Sequence, residues 1–241
     1  MTNPKLRVLF EDESLIIVDK PQNSIVHGEL GDDRTLLEQV RNHLEEQTAG
    51  VVSFLAPANR LDRNTMGPVV FSKTRKMAQR LRRLFSRCQV NKVYRAKIKG
   101  NLESPVFVEA DIEQGSHNRV RTSNLKKEYD EPIPDKDTWF SERDYNSETI
   151  SGTLIKPLSH EGDETLVEVH PWTGRKHQIR VICQDIGHPI VGDKKYNRIP
   201  GRYKRSIKRT DGPFTVPALL CFSLEIPALK VKVRTKFKLP K

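Results

Sequence analysis

Apolar residues in this chain recur with two different periods, so strands and helices are both predicted. Leu6 to Phe10 and Leu15 to Asp19 are strand-like runs separated by the polar Glu11-Asp12-Glu13-Ser14, which predicts a hairpin that Lys20-Pro21 brings to an end. Thr35 and Glu38 form a capping box, and Leu36, Leu37, Val40 and Leu44 follow at helical spacing. A helix from about Leu36 to Glu46 is predicted. Ala56 to Gly67 has no period and contains Pro57 and Gly67, so it reads as irregular backbone, and the apolar run Pro68-Val69-Val70-Phe71-Ser72-Lys73 after it reads as a strand. Thr74 can cap a second helix, whose Met77, Leu81, Leu84 and Phe85 form an apolar stripe.

Lys92 to Lys99 alternates, with Tyr94, Ala96 and Ile98 on one face and Arg95, Lys97 and Lys99 on the other. Asn101 to about Ser147 is charged and uninformative, and Glu131 to Asp137 reads as an exposed loop. Ile150 to Leu154 and Leu166 to His170 read as strands. After the turn Pro171-Trp172-Thr173-Gly174, a helix is predicted from about Arg175 to Ile186, with Ile179, Ile182 and Ile186 facing the core and Gly187 as its stop. His177, Arg180 and Gln184 share the polar face, so Arg180 can reach a buried partner. Ala218 to Ile226 is an apolar strand.

Charge changes this picture. The 42 Lys and Arg residues outnumber 31 Asp and Glu, a formal net charge of +11, which points to polyanionic partners and to nucleic acid first. No Asp or Glu occurs from Lys73 to Lys99. A basic helix face is usually only solvated, but mixed signs are then expected. The unbroken run of Lys73, Arg75, Lys76, Arg80, Arg83 and Arg87, with Arg82, therefore reads as a surface that tracks phosphates. A second basic run, Arg198 to Arg209 around Tyr203, reads equally as a grip on single-stranded RNA or as a solvated loop.

Cys88, Cys183 and Cys221 form no CxxC pair, and buried thiols in a reducing compartment are expected. There is no apolar leader and no run long enough to span a membrane, so a cytoplasmic chain is expected, with 241 residues making one catalytic domain. No obligate protein partner is evident, and a monomer is expected. Nucleotide cradles of the GxxxxGK[ST] and GxGxxG kinds are absent, as are zinc deaminase and zincin patterns and a GxSxG elbow. The chemistry is therefore expected to come from side chains alone, without cofactor or metal.

The candidate for that chemistry is Asn59-Arg60-Leu61-Asp62-Arg63-Asn64-Thr65-Met66-Gly67, where one carboxylate stands between two arginines on a loop. Taken alone, Arg-Leu-Asp-Arg is most simply a surface ion pair of little worth. Two further segments change that reading: Val90-Asn91-Lys92-Val93-Tyr94-Arg95-Ala96-Lys97-Ile98-Lys99-Gly100, and Thr173-Gly174-Arg175-Lys176-His177-Gln178-Ile179-Arg180 with Gly187-His188-Pro189-Ile190-Val191-Gly192-Asp193. Together these resemble the three motifs of the RluA-type pseudouridine synthases. Val18-Asp19-Lys20-Pro21 and Val26-His27 resemble the family's opening.

The resemblance implies an α+β fold, a mixed and largely antiparallel sheet with flanking helices, with the site in a basic cleft. It implies conversion of uridine to pseudouridine in structured RNA, ribosomal or transfer, with Asp62 as the acting carboxylate. Arg180 falls where the family places the cation beside that carboxylate, which burial alone would tend to neutralise. Tyr94 falls on the tyrosine that packs against the target base. Arg60 falls on the residue that fills the space a flipped base leaves, and Ile179 is expected under the ring. Asn59 stands where the family usually has His, and Met66-Gly67-Pro68 where it has Ser-Gly-Leu. These departures bear on substrate preference more than on the reaction. Two other readings stay open from sequence: a non-catalytic RNA-binding protein with the same fold, and a nucleoside hydrolase, which would more often show a second carboxylate or metal ligands.

Overall fold

Six consecutive residues from Leu15 to Lys20 are buried, and so are six from Gly67 to Ser72. Runs that are apolar on both faces need partners on both faces. The computed structural model, which describes residues 6–28, 35–115, 119–129, 133–142, 148–197 and 216–239, supplies them. By its internal contacts the chain divides into two compact units, Met1–Asn91 with Leu220–Lys238, and Lys92–Leu219 with Leu239–Lys241.

The first unit is built on strands β1 (Val8–Glu11), β2 (Leu15–Lys20), β3 (Ala56–Pro57) and β4 (Gly67–Ser72), ordered β1-β2-β4-β3 and antiparallel throughout. The predicted β1–β2 hairpin is present. Its turn is held by Asp12, whose Oδ1 accepts the Ser14 and Leu15 amides at 2.7 and 2.8 Å. Helix α1 spans Leu36–Thr48 with Thr35 Oγ1 accepting from the Glu38 amide, and α2 spans Arg75–Ser86 with Thr74 Oγ1 accepting from Met77. Both caps were legible in the sequence. Leu81 and Leu84 of α2 join Leu15, Ile17, Val70 and Val90 in one core. The late antiparallel hairpin of β10 (Leu219–Ile226) and β11 (Val231–Arg234) adds Leu224, Ile226, Val231 and Val233.

The second unit is an antiparallel sheet of β5 (Asn91–Lys99), β6 (Val106–Gln114), β7 (Val120–Tyr129), β8 (Ile150–Glu161) and β9 (Glu164–Pro171), in the order β5-β9-β8-β6-β7. Ala96 and Ile98 of β5 are fully buried, as their alternation predicts. With Val106, Val108, Ile155, Val167, Val169, Ile179 and Ile182 they form the main core, against which Tyr94 packs half-buried. A second cluster stacks Phe107 on Trp172, ring centroids 4.4 Å apart, with Trp139 of α3 (Lys136–Ser141) edge-on. From Asn101 to about Ser147 the sequence shows no clear pattern beyond the loop expected over Glu131–Asp137. The fold there is instead β6, β7 and a helix that begins inside the expected Glu131–Asp137 loop, capped by Asp135.

Helix α4 (Gln178–Asp185) begins three residues later than its apolar pattern predicts, because His177 has φ 52° and cannot continue a right-handed turn. At the other end Gly187, φ 94°, stops it as expected. Cys183 and Cys221 are buried thiols outside any disulfide, and Cys88 is half-buried. Burial pushes the Cys183 thiol up to about 12, with the charge of Asp193 adding to the effect. The mixed, largely antiparallel α+β class is the one expected. Among the described residues no helix is long and apolar enough to cross a membrane.

Candidate active-site residues

Asp62 is half-buried on a turn between the buried Leu61 and Thr65, and the Thr65 amide donates to its main-chain carbonyl at 3.0 Å. Just before the turn, the Asn59 side chain extends the sheet. Its Oδ1 accepts the Val70 amide at 2.8 Å and its Nδ2 donates to the Pro68 carbonyl at 3.3 Å. An amide side chain can pair with a strand in both directions, so Asn59 serves here as a local support for β4. After the turn, Met66 forms a parallel bridge with Leu220, and the Cys221 amide donates to the Met66 carbonyl at 2.9 Å. Gly67 sits at φ +128°, where a Cβ would stand 2.3 Å from the Cys221 carbonyl oxygen. No other residue fits at that point.

The turn is also fastened from β2. Lys20 is 0% exposed, and its ammonium donates to the carbonyls of Pro21 at 3.0 Å, Ser24 at 2.7 Å and Arg63 at 2.9 Å. Three N–H groups meet three acceptors, one of them on the residue that follows Asp62. Burial drives the Lys20 pKa down from the usual 10.5 to about 7, and the negative charge of Asp62 pulls it the other way. Arg63 adds a second tie, donating from Nε to Asn23 Oδ1 at 2.9 Å. In the sequence Lys20 reads as the end of a strand and as part of the family-like opening Val18-Asp19-Lys20-Pro21, with no role of its own, and the signal for that role is a lysine inside a run that is otherwise buried.

In the second unit, Arg180 finds the buried partner that its position on α4 suggested, and the partner is Asp193. Nε lies 2.6 Å from Oδ2 and Nη2 lies 3.0 Å from Oδ1, a side-on bidentate pair, with the Asp193 side chain at 0% exposure. Asp193 Oδ1 also accepts the amides of Lys195 and Tyr196 at 2.9 and 3.1 Å. The entry to α4 is set by Gln178, buried and fully engaged. It accepts from Thr173 Oγ1 and the Arg175 amide, both at 2.9 Å, and donates to the Gly152 carbonyl at 3.1 Å and Thr153 Oγ1 at 2.9 Å. Lys92 Nζ holds the same turn by donating to the Thr173 carbonyl at 2.8 Å.

The first unit thus carries Asp62 and the exposed Arg60, while the second carries Tyr94, Ile179 and Arg180, with Tyr94 and Ile179 in one apolar cluster. Of the basic residues chosen from sequence, Lys76, Arg83 and Arg87 are exposed on α2 or at its end. Arg75 lies over the Phe54 ring at 5.1 Å, and Arg80 donates to the Ala228 carbonyl at 3.0 Å. Lys73 is half-buried and pairs with Glu11 at 3.0 Å, so its charge is answered within the fold. The run from Arg198 to Arg209 lies outside the described residues. Among the described residues no cluster of three His, Cys, Asp or Glu is placed to hold a metal ion.

Residues 14–185 match the family model described as RNA pseudouridylate synthase. Ribosomal large subunit pseudouridine synthase D of Nitrosomonas europaea is 33% identical over 198 residues, covering 80% of this chain and 50% of that protein. The mitochondrial tRNA pseudouridine(32) synthase of Saccharomyces cerevisiae is 29% identical over 198 residues, 82% of this chain and 38% of that protein. The chain spans about half the length of the curated relatives it matches. Among solved structures, human RNA pseudouridylate synthase domain containing 1 aligns with a TM-score of 0.68 at 25% identity, over 97% of this chain and 84% of that one. With the motifs, the fold and a family match over most of its length, this chain belongs to the RNA pseudouridylate synthases of the RluA type.

Proposed function

We propose that this chain isomerises uridine to pseudouridine in a structured ribosomal or transfer RNA, with Asp62 as the acting carboxylate. The observation that carries the reading is a half-buried aspartate on a turn that is tied at both ends and flanked by a fully buried ammonium. A carboxylate that must act on the ribose or the base has to stay ionised while water is excluded, and a fixed positive charge nearby favours that form. Lys20 in its protonated form, which the charge of Asp62 favours, meets this requirement from within the same unit.

In this reading the other motif residues divide the remaining work. Arg180 is the guanidinium that answers the Asp62 charge when the substrate shuts out water. Tyr94 faces the target base and takes part in proton transfer, and Ile179 packs beneath the ring. Arg60, exposed beside Asp62, enters the space left when the base is extruded, a step that costs a few kcal/mol of stacking. Lys76, Arg83 and Arg87 give α2 the phosphate-tracking face that such a substrate requires.

The test is Asp62→Asn, which keeps the shape and removes the charge. Pseudouridine mapping of total RNA from cells carrying the wild-type gene, the D62N gene or none should show a modified uridine only with the wild type. Modification at an undiminished rate with D62N overturns the assignment. Release of free uracil would favour a hydrolase, and tight, salt-sensitive RNA binding without product would favour a binding protein.

A further inference from the structure

Tyr196 stands where β7, the start of α4 and its own turn meet in the second unit, and nothing in the three motifs gives it a role. It is 2% exposed. Its hydroxyl oxygen accepts the Val120 amide at 2.8 Å and lies 2.8 Å from His177 Nδ1, the residue whose left-handed backbone opens α4. Its ring lies beneath the guanidinium of Arg180, 5.1 Å from Cζ to centroid, and its own amide donates to the Asp193 carboxylate that grips Arg180.

These contacts restrict Arg180 in every direction that matters to a planar cation. The bidentate pair with Asp193 fixes the guanidinium within its plane, and the aromatic face limits its tilt. Both supports come from one short turn, Asp193 to Tyr196, in which Asp193 accepts two main-chain amides, so the turn and the guanidinium are set together. The His177 contact ties that turn to the residue that immediately precedes the helix carrying Arg180.

We propose that Tyr196 and Asp193 are positioning residues that hold the Arg180 guanidinium in its working orientation before RNA arrives, with His177 fastening the assembly to α4. The inference rests on the reading that Arg180 serves the pseudouridylation reaction. A side chain with Arg's freedom would otherwise have to be ordered at each turnover, and a misplacement of about 1 Å costs on the order of 100-fold in rate.

The test uses the full chain with a defined RNA substrate and the variants Tyr196→Phe and Asp193→Asn. Tyr196→Phe keeps the ring and removes the hydroxyl, and should lower kcat by roughly 10-fold with KM for RNA nearly unchanged; Asp193→Asn should lower it by roughly 100-fold. In nitrogen-detected NMR the Arg180 Nε–H signal, slow to exchange in the wild type, should exchange faster in both. If Asp193→Asn fails to fold, Tyr196→Phe decides alone. Unchanged kcat in Tyr196→Phe overturns the proposal, and so does a loss of kcat with thermal midpoint while the Arg180 signal is untouched, which marks a merely structural tyrosine. Absence of pseudouridine with the wild type is a different result, because it removes the function on which the proposal stands.

Discussion

The ammonium of Lys20 lies 2.9 Å from the main-chain carbonyl of Arg63, the residue next to Asp62. A buried lysine with three carbonyl acceptors acts on its neighbours in two ways, by holding the backbone and by presenting charge. Lys20→Met removes both. Three carbonyls lose their donor, which destabilises, while the cost of burying a charge disappears, which offsets it. The expected result is a modest change in stability and a fall of roughly 100-fold in the single-turnover rate on RNA, with affinity nearly intact. A variant that turns over like the wild type would show that the turn keeps its shape unaided.

Lys20 also gives a pH signature. With a pKa of about 7 in the folded protein against 10.5 as the ordinary value, the folded chain binds fewer protons than the unfolded chain between those limits. Unfolding free energy therefore rises with pH across that window, by up to ~1.4 kcal/mol per unit. The contribution is complete above 10.5 and is lost as the pH falls through 7. Urea midpoints at pH 7, 8 and 9 should separate wild type from Lys20→Met increasingly in favour of the wild type. Parallel curves would mean that Lys20 keeps its proton throughout.

Gly67→Ala should be among the most damaging single substitutions in the first unit. The φ of +128° and the 2.3 Å approach to the Cys221 carbonyl leave no room for a methyl group, and strained backbone alone costs ~1–3 kcal/mol. Since Gly67 borders the Asp62 turn, thermal midpoint and turnover should drop together. The neighbouring Pro68→Ala, in β4 opposite Asp19, provides a milder comparison.

The basic face of α2 is expected to appear in the salt dependence of RNA binding. Replacing Lys76, Arg83 and Arg87 together by Ala should reduce the slope of log K against log salt by about 2 to 3, if each neutralises one phosphate. A filter-binding titration at several salt concentrations reads this directly. An unchanged slope would assign the face to solvent.

The sequence announces its local rules clearly and its long-range ones poorly. Thr35 and Thr74 cap the helices they were expected to cap, and the β1–β2 hairpin follows its polar turn, because each depends on residues within one turn of the chain. The helix α4 starts late because His177 adopts a left-handed conformation that is held by Tyr196, nineteen positions away. Strand β7 escaped notice because its Arg121, Asn124 and Lys126 are satisfied by Glu113, Asp111 and Glu109 across the strand pair. Its polarity is matched by a partner, which no single segment displays. For the same reason Asp62 was legible as a candidate, while the parts played by Lys20 and Asp193, which stand in the family-like segments, and by Tyr196, which does not, became visible only once their partners were in place.

The parallel bridge from Met66 to Leu220 joins points separated by more than half the chain. During synthesis, the segment bearing Asp62 emerges early but lacks that clasp until residue 220 has left the ribosome. Completion of the Asp62 turn is thereby coupled to the hairpin of β10 and β11, and a nascent chain stalled before it would display the motif without the strand that clasps it.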